Sequence, residues 1–450
     1  MRVLFIAFEF PPLGGIGVQR SLKFVKYLPE HGVEPVVVTT DESSFRGVVQ
    51  GARMEASLLA EVPPRVRVER VPCPGLVPVR GGRLGAWVRQ FSTVNDSLAE
   101  LWRANLFQAM DRLVAEERPE AVYVSVPPFS MAPLACEVAR WHDLPLLLDF
   151  RDPWSQWGSA PKTTWWHYRQ SWRAEERCMQ QARAVTTVTE PLRRDFLRAH
   201  QRVSAEKVAV ITNGYDGVID PSAFASVAER AGRPFHIGYV GTFYYNPAAH
   251  EAIMQPWWMR WPHRWLQYAP RQEDWLYRTP HFFFATLRRL FDRRPELRGR
   301  VKLRLAGQMP DWLPAQARAF GLEDAVESIG YVSFAECQRF QQECDALLLT
   351  GTKVPDAVDY TLAGKVFEYL VAGRPIVGMV TEGSQRDFLE RCGVATVCDP
   401  DDPESGSRRL EELIDGRMRF APDLSFLANY HRRATAGQMA EALRRCAGKG

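Results

Sequence analysis

The sequence LAGKVFEYLVAGRPIVGM, residues 362–379, contains a helix, a stop signal and a buried strand in immediate succession. Its apolar spacing predicts a helix from Gly364 to Ala372, and Gly373 supplies the left-handed residue that commonly ends a helix. After Pro375, the short apolar run predicts a strand that is buried on both faces. A helix that leads directly into a buried strand is the repeating unit of a parallel α/β sheet.

Similar units lie on both sides of this stretch. Apolar, β-branched runs alternate with longer amphipathic stretches, which predicts an α/β fold with two doubly wound, Rossmann-like halves. The strands predicted in the first half are Val3–Phe8, Pro35–Thr40, Val66–Val71, Ala121–Val126, Leu146–Phe150, Ala184–Val188 and Val208–Thr212. Those predicted in the second half are Phe235–Val240, Val301–Ala306, Val326–Ile329, Ala346–Leu349, Ile376–Met379 and Ala395–Cys398. Ligands bind at the carboxyl ends of such strands, so we expect a cleft between the facing halves.

Breaks in the strand–helix alternation predict the domain boundaries. Residues 1–216 form the N-terminal domain, and residues 217–233, which contain Gly, Pro, Asp and Ser without periodicity, form a linker. Residues 234–422 form the C-terminal domain, with an aromatic-rich insert at residues 243–280. We expect residues 423–450 to be a helical tail that packs back on the N-terminal domain.

Composition excludes several classes of protein. The 450 residues are 46% apolar and 24% charged, and a net charge of +4 is too small to indicate nucleic-acid binding from bulk charge. The eight cysteines are scattered without a Cys-x-x-Cys pair, so we expect reduced thiols and no zinc site. A strand begins directly after Met1 and no apolar run is long enough to span a bilayer, so we expect a cytoplasmic protein without a signal peptide.

A glycine-rich loop follows the first strand. In PPLGGIGVQR, residues 11–20, Gly14, Gly15 and Gly17 precede a helix predicted from about Val18 to Glu30, with Arg20 in its first turn. Backbone N–H groups at such a helix start bind phosphate well, so these four residues are candidate ligands of a phosphate. A dinucleotide site, and hence an NAD-dependent oxidoreductase, is an alternative, although the spacing is not G-x-G-x-x-G. The second alternative is that the glycines only form a wide turn that binds no ligand.

The helix at residues 364–372 carries a second candidate pair. Lys365 and Glu368 are three residues apart and therefore share a face near the helix start, close to the end of the preceding strand. A carboxylate can accept hydrogen bonds from both hydroxyl groups of a ribose, and a lysine can neutralise a diphosphate. The alternative is an exposed ion pair worth about 0.2–0.5 kcal/mol.

The stretch at residues 362–379 resembles the signature K-[LV]-F-E-Y-L-A-A-G-[KR]-P-[IV] of the retaining glycosyltransferases of family 4, which have the two-domain GT-B fold. Other segments resemble motifs of this family and follow in its order along nearly the whole chain. They are the glycine loop and second strand at residues 11–40, VSVPPFS at 124–130, LLLDFRDPWS at 146–155, ITNGYD at 211–216, GYVGTFY at 238–244 and IGYVS at 329–333.

The resemblance implies roles for individual residues. It places the nucleotide-sugar donor on the C-terminal domain and the acceptor on the N-terminal domain. The donor-binding residues that it implies are Gly14, Gly15, Gly17, Arg20, Gly241, Thr242, Tyr331, Lys365 and Glu368, with Glu368 on the ribose and Lys365 at the diphosphate. The family also carries a glutamate eight positions before Glu368, where this chain has Tyr360, and Asp359 or Asp356 is a candidate replacement.

The FRDPW segment supplies the remaining catalytic candidates. Arg151 and Asp152 directly follow a predicted strand, so both should emerge at the ligand-binding end of the N-terminal sheet. We expect Asp152, Arg151 and Lys365 to act in catalysis, with Asp149 as the next candidate. A helix cap or an Arg151–Asp152 ion pair is the alternative.

No metal is expected in this chemistry. The only Asp-x-Asp triplet, from Asp399 to Asp401, lies in a Pro-containing acidic loop that we interpret as a solvated turn. We therefore expect neither a metal nor another cofactor, and a UDP- or GDP-linked sugar as the substrate.

The aromatic-rich insert is the least typical segment. Residues 243–280 contain Trp257, Trp258, Trp261, Trp265 and Trp275 among several arginines, which could stack on sugars, contact anionic lipid carriers, pair with a second subunit or simply pack internally.

The function expected from the sequence is retaining sugar transfer in polysaccharide, glycolipid or secondary-metabolite assembly. The expected partners are a nucleotide sugar and an acceptor that is lipid-linked or a cell-surface glycan precursor, with peripheral contact to the inner face of the membrane and no nucleic acid. A nucleotide-sugar epimerase of the same fold and a catalytically silent sugar-binding or scaffold protein are the alternatives.

Overall fold

The computed structural model of the chain describes residues 1–48, 54–74, 96, 98–158, 160–225, 234–243, 245 and 247–449. The chain divides into two compact units, each with its own sheet. Unit 1 contains Met1–Asn213, Leu266–Pro270 and Arg432–Gly450, and unit 2 contains Gly214–Trp265 and Arg271–His431. Within the described ranges, no helix is long and apolar enough to cross a membrane.

Unit 1 is built on a parallel sheet of seven strands in the order β3-β2-β1-β4-β5-β6-β7. Its central strands are mostly apolar, because a parallel sheet covered on both faces buries nearly all of its side chains. The strands are β1 (Arg2–Ile6), β2 (Glu34–Thr40), β3 (Val68–Val71), β4 (Ala121–Val126), β5 (Leu146–Phe150), β6 (Ala184–Thr187) and β7 (Val208–Val210). All strands predicted for this half are confirmed, although several ends differ by one or two residues.

The helices of unit 1 connect these strands and cover the sheet. They are Ile16–Tyr27, Glu42–Val48, Leu98–Glu117, Met131–Trp141, Trp165–Gln181, Glu190–Ala199 and Arg432–Cys446, with short 3-10 helices at Leu28–His31, Ala56–Glu61 and Ala205–Lys207. The first helix begins two residues earlier than predicted, at Ile16, because Gly15 already adopts the cap position.

The core of unit 1 joins residues from both ends of the chain. Val18 and Leu22 of the first helix share a buried cluster with Ala436, Met439 and Leu443 of the last helix. These side chains have almost no exposed surface. The last helix is therefore an integral layer of unit 1.

Unit 2 repeats the same architecture with six parallel strands in the order β10-β9-β8-β11-β12-β13. The strands are β8 (Phe235–Val240), β9 (Val301–Ala306), β10 (Val326–Gly330), β11 (Ala346–Thr350), β12 (Ile376–Met379) and β13 (Ala395–Cys398). This order matches that of the first six strands of unit 1 and is the Rossmann order. The predicted α/β fold with two doubly wound, Rossmann-like sheets is confirmed.

The helices of unit 2 include the one predicted from the opening stretch, with the predicted bounds Gly364–Ala372. Gly373 ends it in the left-handed conformation, with a φ of 67°. The other helices are Ser222–Ala225, Pro247–Met254, His281–Arg293, Leu313–Ala319, Phe334–Glu343, Ser384–Arg391, Pro403–Ile414 and Leu424–Ala428. The 3-10 helices are Trp257–Met259, Pro262–Arg264, Trp275–Arg278, Pro295–Leu297 and Glu323–Ala325.

The unit boundaries differ from the predicted domain boundaries at residues 214–225, which belong to unit 2, and in two further places. The predicted tail consists of two helices, of which Leu424–Ala428 belongs to unit 2 and Arg432–Cys446 to unit 1. Within the insert, residues 266–270 belong to unit 1, because Tyr268 exchanges two backbone hydrogen bonds with Lys162. Residues 226–233 of the predicted linker, and residues 244 and 246 of the insert, lie outside the described residues.

Candidate functional site

Each sheet has one place where its strand order reverses, and ligands of doubly wound sheets bind beside the carboxyl ends of the strands there. In unit 1 this point lies between β1 and β4, and in unit 2 it lies between β8 and β11. The candidate donor residues Gly241 and Thr242 directly follow β8. The strand order therefore identifies the loops in which functional residues should be sought.

Lys365 lies at the reversal point of unit 2. Its ammonium group donates a 2.6 Å hydrogen bond to the hydroxyl group of Tyr239 and lies 3.9 Å from the centre of that ring. A Cβ atom on Gly241 would lie 3.3 Å from the ammonium nitrogen, so the glycine leaves the room that this nitrogen needs. The structure thus brings together Lys365 and Gly241, two of the candidate donor residues.

The charge of Lys365 is costly in the ligand-free protein. The pKa of its ammonium group is lowered from 10.5 to about 7, mainly by burial; the charge of Glu368 opposes this shift, and the positive charge of Arg278 adds to it. Lys365 also lies in the first turn of its helix, where the helix dipole disfavours a cation. An anion bound beside Lys365 would remove these penalties, so the position is suited to a phosphate.

Close backbone packing fixes the loop that carries Gly241. Gly241 has a φ of 99°, a left-handed conformation that favours glycine. A Cβ atom on Gly307, which follows β9, would overlap the carbonyl group of Gly241. The two glycines therefore allow the loops after β8 and β9 to approach each other closely.

The other predicted donor residues of unit 2 are more accessible to solvent. Glu368 is exposed, one helical turn after Lys365, and Thr242 is half-buried. Tyr331, which follows β10 at the edge of the sheet, is 63% exposed. These positions are open to a ligand, and they remain predictions as donor contacts.

Tyr360, which occupies the position of the family's earlier glutamate, lies beside a carboxylate from the insert. Its hydroxyl group donates a 3.1 Å hydrogen bond to buried Glu273, and the guanidinium group of Arg271 lies 4.4 Å from the centre of its ring. Sequence reasoning did not identify Glu273. The sequence does contain a signal for this residue, because Glu273 is the first acidic residue after a stretch, residues 252–272, that has none.

Asp359, proposed as a replacement for that glutamate, has a structural role instead. Its buried carboxylate accepts hydrogen bonds from the backbone N–H groups of Thr352 and Thr361 and from the hydroxyl group of Thr361. It thereby ties together the two ends of the loop after β11. Asp356 is exposed and adopts a φ of 58° in the same loop.

The glycine loop of unit 1 combines one strained position with one crowded position. Gly15 caps the first helix with a φ of 105°, and a Cβ atom there would meet no other atom within 4 Å. A Cβ atom on Gly17 would instead overlap the carboxylate of Glu9 and crowd the guanidinium group of Arg151. Gly14 is limited similarly by the side chain of Glu55.

Arg151 joins the loops at the reversal point of unit 1. Its guanidinium group donates hydrogen bonds to the carbonyl groups of Gly17, after β1, and Pro127, after β4, and it lies 3.5 Å from the carboxylate of Glu9. Asp152, the next residue, is half-buried. Glu9 was not identified from the sequence, although a carboxylate directly after the first strand is a recognisable signal.

A match to a known protein family agrees with this fold and with the loops described above. Residues 14–214 match the family described as a glycosyl transferase 4-like domain. This part of the chain therefore contains a glycosyl transferase 4-like domain. A comparison with curated proteins gave no match.

Solved structures share the architecture of the glycosyltransferase over its full length. HepE from Anabaena, in complex with UDP, is 13% identical with a TM-score of 0.57, covering 99% of this chain and 100% of HepE. Sucrose-phosphate synthase from Thermosynechococcus elongatus is 14% identical with a TM-score of 0.58, covering 100% of both chains. The apo form of the lipopolysaccharide outer core galactosyltransferase WaaB is 13% identical with a TM-score of 0.56, covering 99% of both. These similarities show the GT-B fold.

The structure gives Arg20 of the glycosyltransferase a different role from the predicted one. Its buried guanidinium group donates two 2.8 Å hydrogen bonds to the carboxylate of Asp149. It donates three more, to the carbonyl groups of Ile211 and Thr212 and to the side chain of Asn213. An arginine has five N–H groups, so these bonds leave none for a diphosphate. The prediction that Arg20 binds the donor is therefore not supported by this arrangement.

Asp149 completes the same buried network and is not exposed to a ligand. It also accepts 2.7 Å hydrogen bonds from the hydroxyl groups of Tyr123 and Thr186. Burial alone would raise the pKa of Asp149, but the charge of Arg20 and the three donors outweigh it and keep the pKa below its ordinary value. Asp149 and Arg20 thus stabilise unit 1 of the glycosyltransferase and do not form part of an open site.

The acidic triplet is also engaged within the protein. Asp401 accepts hydrogen bonds from the ammonium group of Lys353 and the hydroxyl group of Tyr277. Across the described residues of the glycosyltransferase, no group of three or more His, Cys, Asp or Glu side chains is arranged to hold a metal ion.

Proposed function

We propose that this glycosyltransferase transfers a sugar from a UDP- or GDP-linked donor to its acceptor with retention of configuration and without a metal. The observation that carries the proposal is Lys365, a half-buried cation in the first turn of a helix with a pKa lowered to about 7. Such a position costs free energy in the ligand-free protein and becomes favourable when a diphosphate binds.

In this proposal, unit 2 binds the nucleotide. Lys365 and the backbone around Gly241 hold the diphosphate, and Glu368 accepts hydrogen bonds from the ribose hydroxyl groups. Thr242 and Tyr331 complete the donor contacts. Preorganised donors of this kind stabilise the charge that develops on a leaving diphosphate by about 3–4 kcal/mol for each well-placed group.

Unit 1 supplies the acceptor groups. Arg151 is held between the loops after β1 and β4, 3.5 Å from the carboxylate of Glu9, and Asp152 is the next residue along the chain. We propose that Asp152 orients the acceptor hydroxyl group and that Glu9 fixes Arg151. The N–H groups of Gly15 and Gly17, at the start of a helix, assist in neutralising the donor phosphates.

Related structures make UDP the first nucleotide to test. HepE was solved with UDP, with UDP and glucose, and with UDP-glucose. The acceptor belongs, in our proposal, to polysaccharide, glycolipid or secondary-metabolite assembly in the cytoplasm, and is lipid-linked or a cell-surface glycan precursor.

The proposal is tested with the purified protein and a panel of nucleotide sugars. Thermal shift first identifies the donor that stabilises the protein, and NMR then determines the anomeric configuration of the sugar released or transferred, in the presence of excess EDTA. An α-linked donor should give an α-configured product. Inversion of configuration would exclude the retaining mechanism, epimerised nucleotide sugar would indicate an epimerase, and binding without turnover with any acceptor would indicate a scaffold.

A further inference from the structure

One segment of unit 2 presents an exposed set of large apolar side chains. We call residues 256–265 the tryptophan segment. The exposed side chains in it are Trp257 (57%), Trp258 (64%), Met259 (60%), Trp261 (71%) and Trp265 (47%). Tryptophan normally buries most of its surface, and an apolar patch of this kind on a soluble domain marks an interaction site.

The tryptophan segment has a defined backbone structure. It contains the 3-10 helices Trp257–Met259 and Pro262–Arg264. Arg260 donates hydrogen bonds back to the carbonyl groups of Gln255 and Ile253, and the indole N–H of Trp265 donates a 2.7 Å hydrogen bond to the carbonyl group of Arg260. These bonds hold the backbone of the segment, and its aromatic side chains are exposed to solvent.

The later part of the insert, residues 273–278, differs from the tryptophan segment because its side chains bind other parts of unit 2. Glu273 binds Tyr360, and Arg278 donates a 2.5 Å hydrogen bond to Thr352 in the loop after β11. Tyr277 is buried and binds Asp401. Internal packing therefore accounts for residues 273–278 and not for the tryptophan segment.

The charge of the tryptophan segment identifies its partner. Residues 252–272 contain Arg260, Arg264 and Arg271 and no acidic residue. Indole rings with a polar N–H prefer the headgroup region of a bilayer, and nearby arginines favour anionic lipids. A symmetric interface with a second copy would instead bring Arg260 and Arg264 of both copies together, which like-charge repulsion disfavours.

We propose that the tryptophan segment docks the protein on a bilayer that contains anionic lipids. The indole rings of Trp257, Trp258 and Trp261 enter the headgroup region, and Arg264 interacts with the lipid charge. This contact is independent of the transfer reaction, because none of these residues belongs to the proposed donor or acceptor groups.

The test is flotation of the full-length protein with phosphatidylcholine vesicles, with and without phosphatidylglycerol. We expect the wild type to bind the vesicles that contain phosphatidylglycerol and to dissociate as salt rises. Replacement of Trp257, Trp258 and Trp261 by serine should weaken binding at least about tenfold. Arg264→Gln should weaken it about fivefold, and only on the anionic vesicles.

Trp141 provides the matched control. It lies in unit 1 and is 71% exposed, as is Trp261. Trp141→Ser should leave vesicle binding unchanged, and thermal unfolding should show that the triple variant remains folded. Absence of wild-type binding, or equal binding by wild type and the triple variant, would overturn the proposal. A wild-type dimer that becomes a monomer in the triple variant, without vesicle binding, would also overturn it in favour of a second copy as partner.

Discussion

Nucleotide-sugar affinity should fall as the pH rises through 7, because Lys365 loses its proton in the ligand-free protein. Its pKa is about 7. A bound diphosphate favours the charged form, so binding above pH 7 must take up a proton, and the apparent Kd should scale as 1 + 10^(pH − pKa). This factor is about 1 at pH 6 and about 11 at pH 8, so affinity should fall about tenfold between them.

Isothermal titration calorimetry with the selected nucleotide sugar measures this effect directly, since the sugar diphosphate does not titrate in this range. Titrations at pH 8 in two buffers with different ionisation enthalpies should show uptake of about one proton per ligand. The matched variant Lys365→Arg keeps its charge, so its affinity should change little between pH 6 and pH 8. The Lys365→Met variant should bind the nucleotide sugar weakly at both pH 6 and pH 8.

The stability of the ligand-free protein provides an independent check, because its pH dependence should run in the opposite direction to that of the affinity. Because the folded-state pKa of Lys365 is lowered, the unfolded chain holds more protons between about pH 7 and 10.5, and stability from this group rises with pH across that window. Lys365→Met should therefore raise Tm more at pH 6 than at pH 9. Equal wild-type affinity at pH 6 and pH 8, or a tenfold loss that persists in Lys365→Met, would refute the role of this lysine.

Other predictions concern the remaining groups. Glu368→Ala should weaken donor binding by about 1.5–3 kcal/mol in calorimetry, and unchanged affinity would exclude a ribose contact. Gly15→Val should abolish transfer while the protein stays folded, whereas Gly299→Val, at another open position with positive φ, should leave turnover unchanged; equal losses would indicate a general effect of strain. Asp149→Asn should cost about 3–5 kcal/mol in urea unfolding, because it leaves buried Arg20 without its counter-charge. Sugar transfer should persist in excess EDTA, and loss that magnesium restores would contradict the proposal.

The fold could be predicted from the sequence because its signals are local. Most strands of the two sheets are short apolar runs, and the helix Gly364–Ala372 carries both its periodicity and its glycine stop within one segment. Strand ends were less predictable, since residues such as Val66 and Thr212 are apolar or β-branched but lie beyond the last hydrogen-bonded pair. Hydrogen bonding between strands, not side-chain type, determines where each strand ends.

The site could be predicted only in part, because partners distant in sequence determine which charges are available. Arg20 and Lys365 are both cations near the starts of helices. The sequence alone could not show that Arg20 pairs with Asp149, 129 positions later. It also could not show that Lys365 is buried so that its positive charge is unfavourable in the ligand-free protein. In the same way, a tyrosine at position 360 in place of a glutamate indicated that a carboxylate was missing. In the folded chain, the carboxylate of Glu273 accepts a hydrogen bond from Tyr360.

The C-terminal helix has a consequence for synthesis of the chain. Arg432–Cys446 supplies buried side chains to a cluster whose other members come from the first half of the sequence. During translation, the apolar face around Val18 and Leu22 therefore stays uncovered until residues 432–446 have left the ribosome. Unit 2 ends at His431, before this helix, and is the unit that can complete first, although domains usually form from the N-terminus onward. A premature stop before residue 432 would leave a nascent chain that exposes this face to chaperones and proteases.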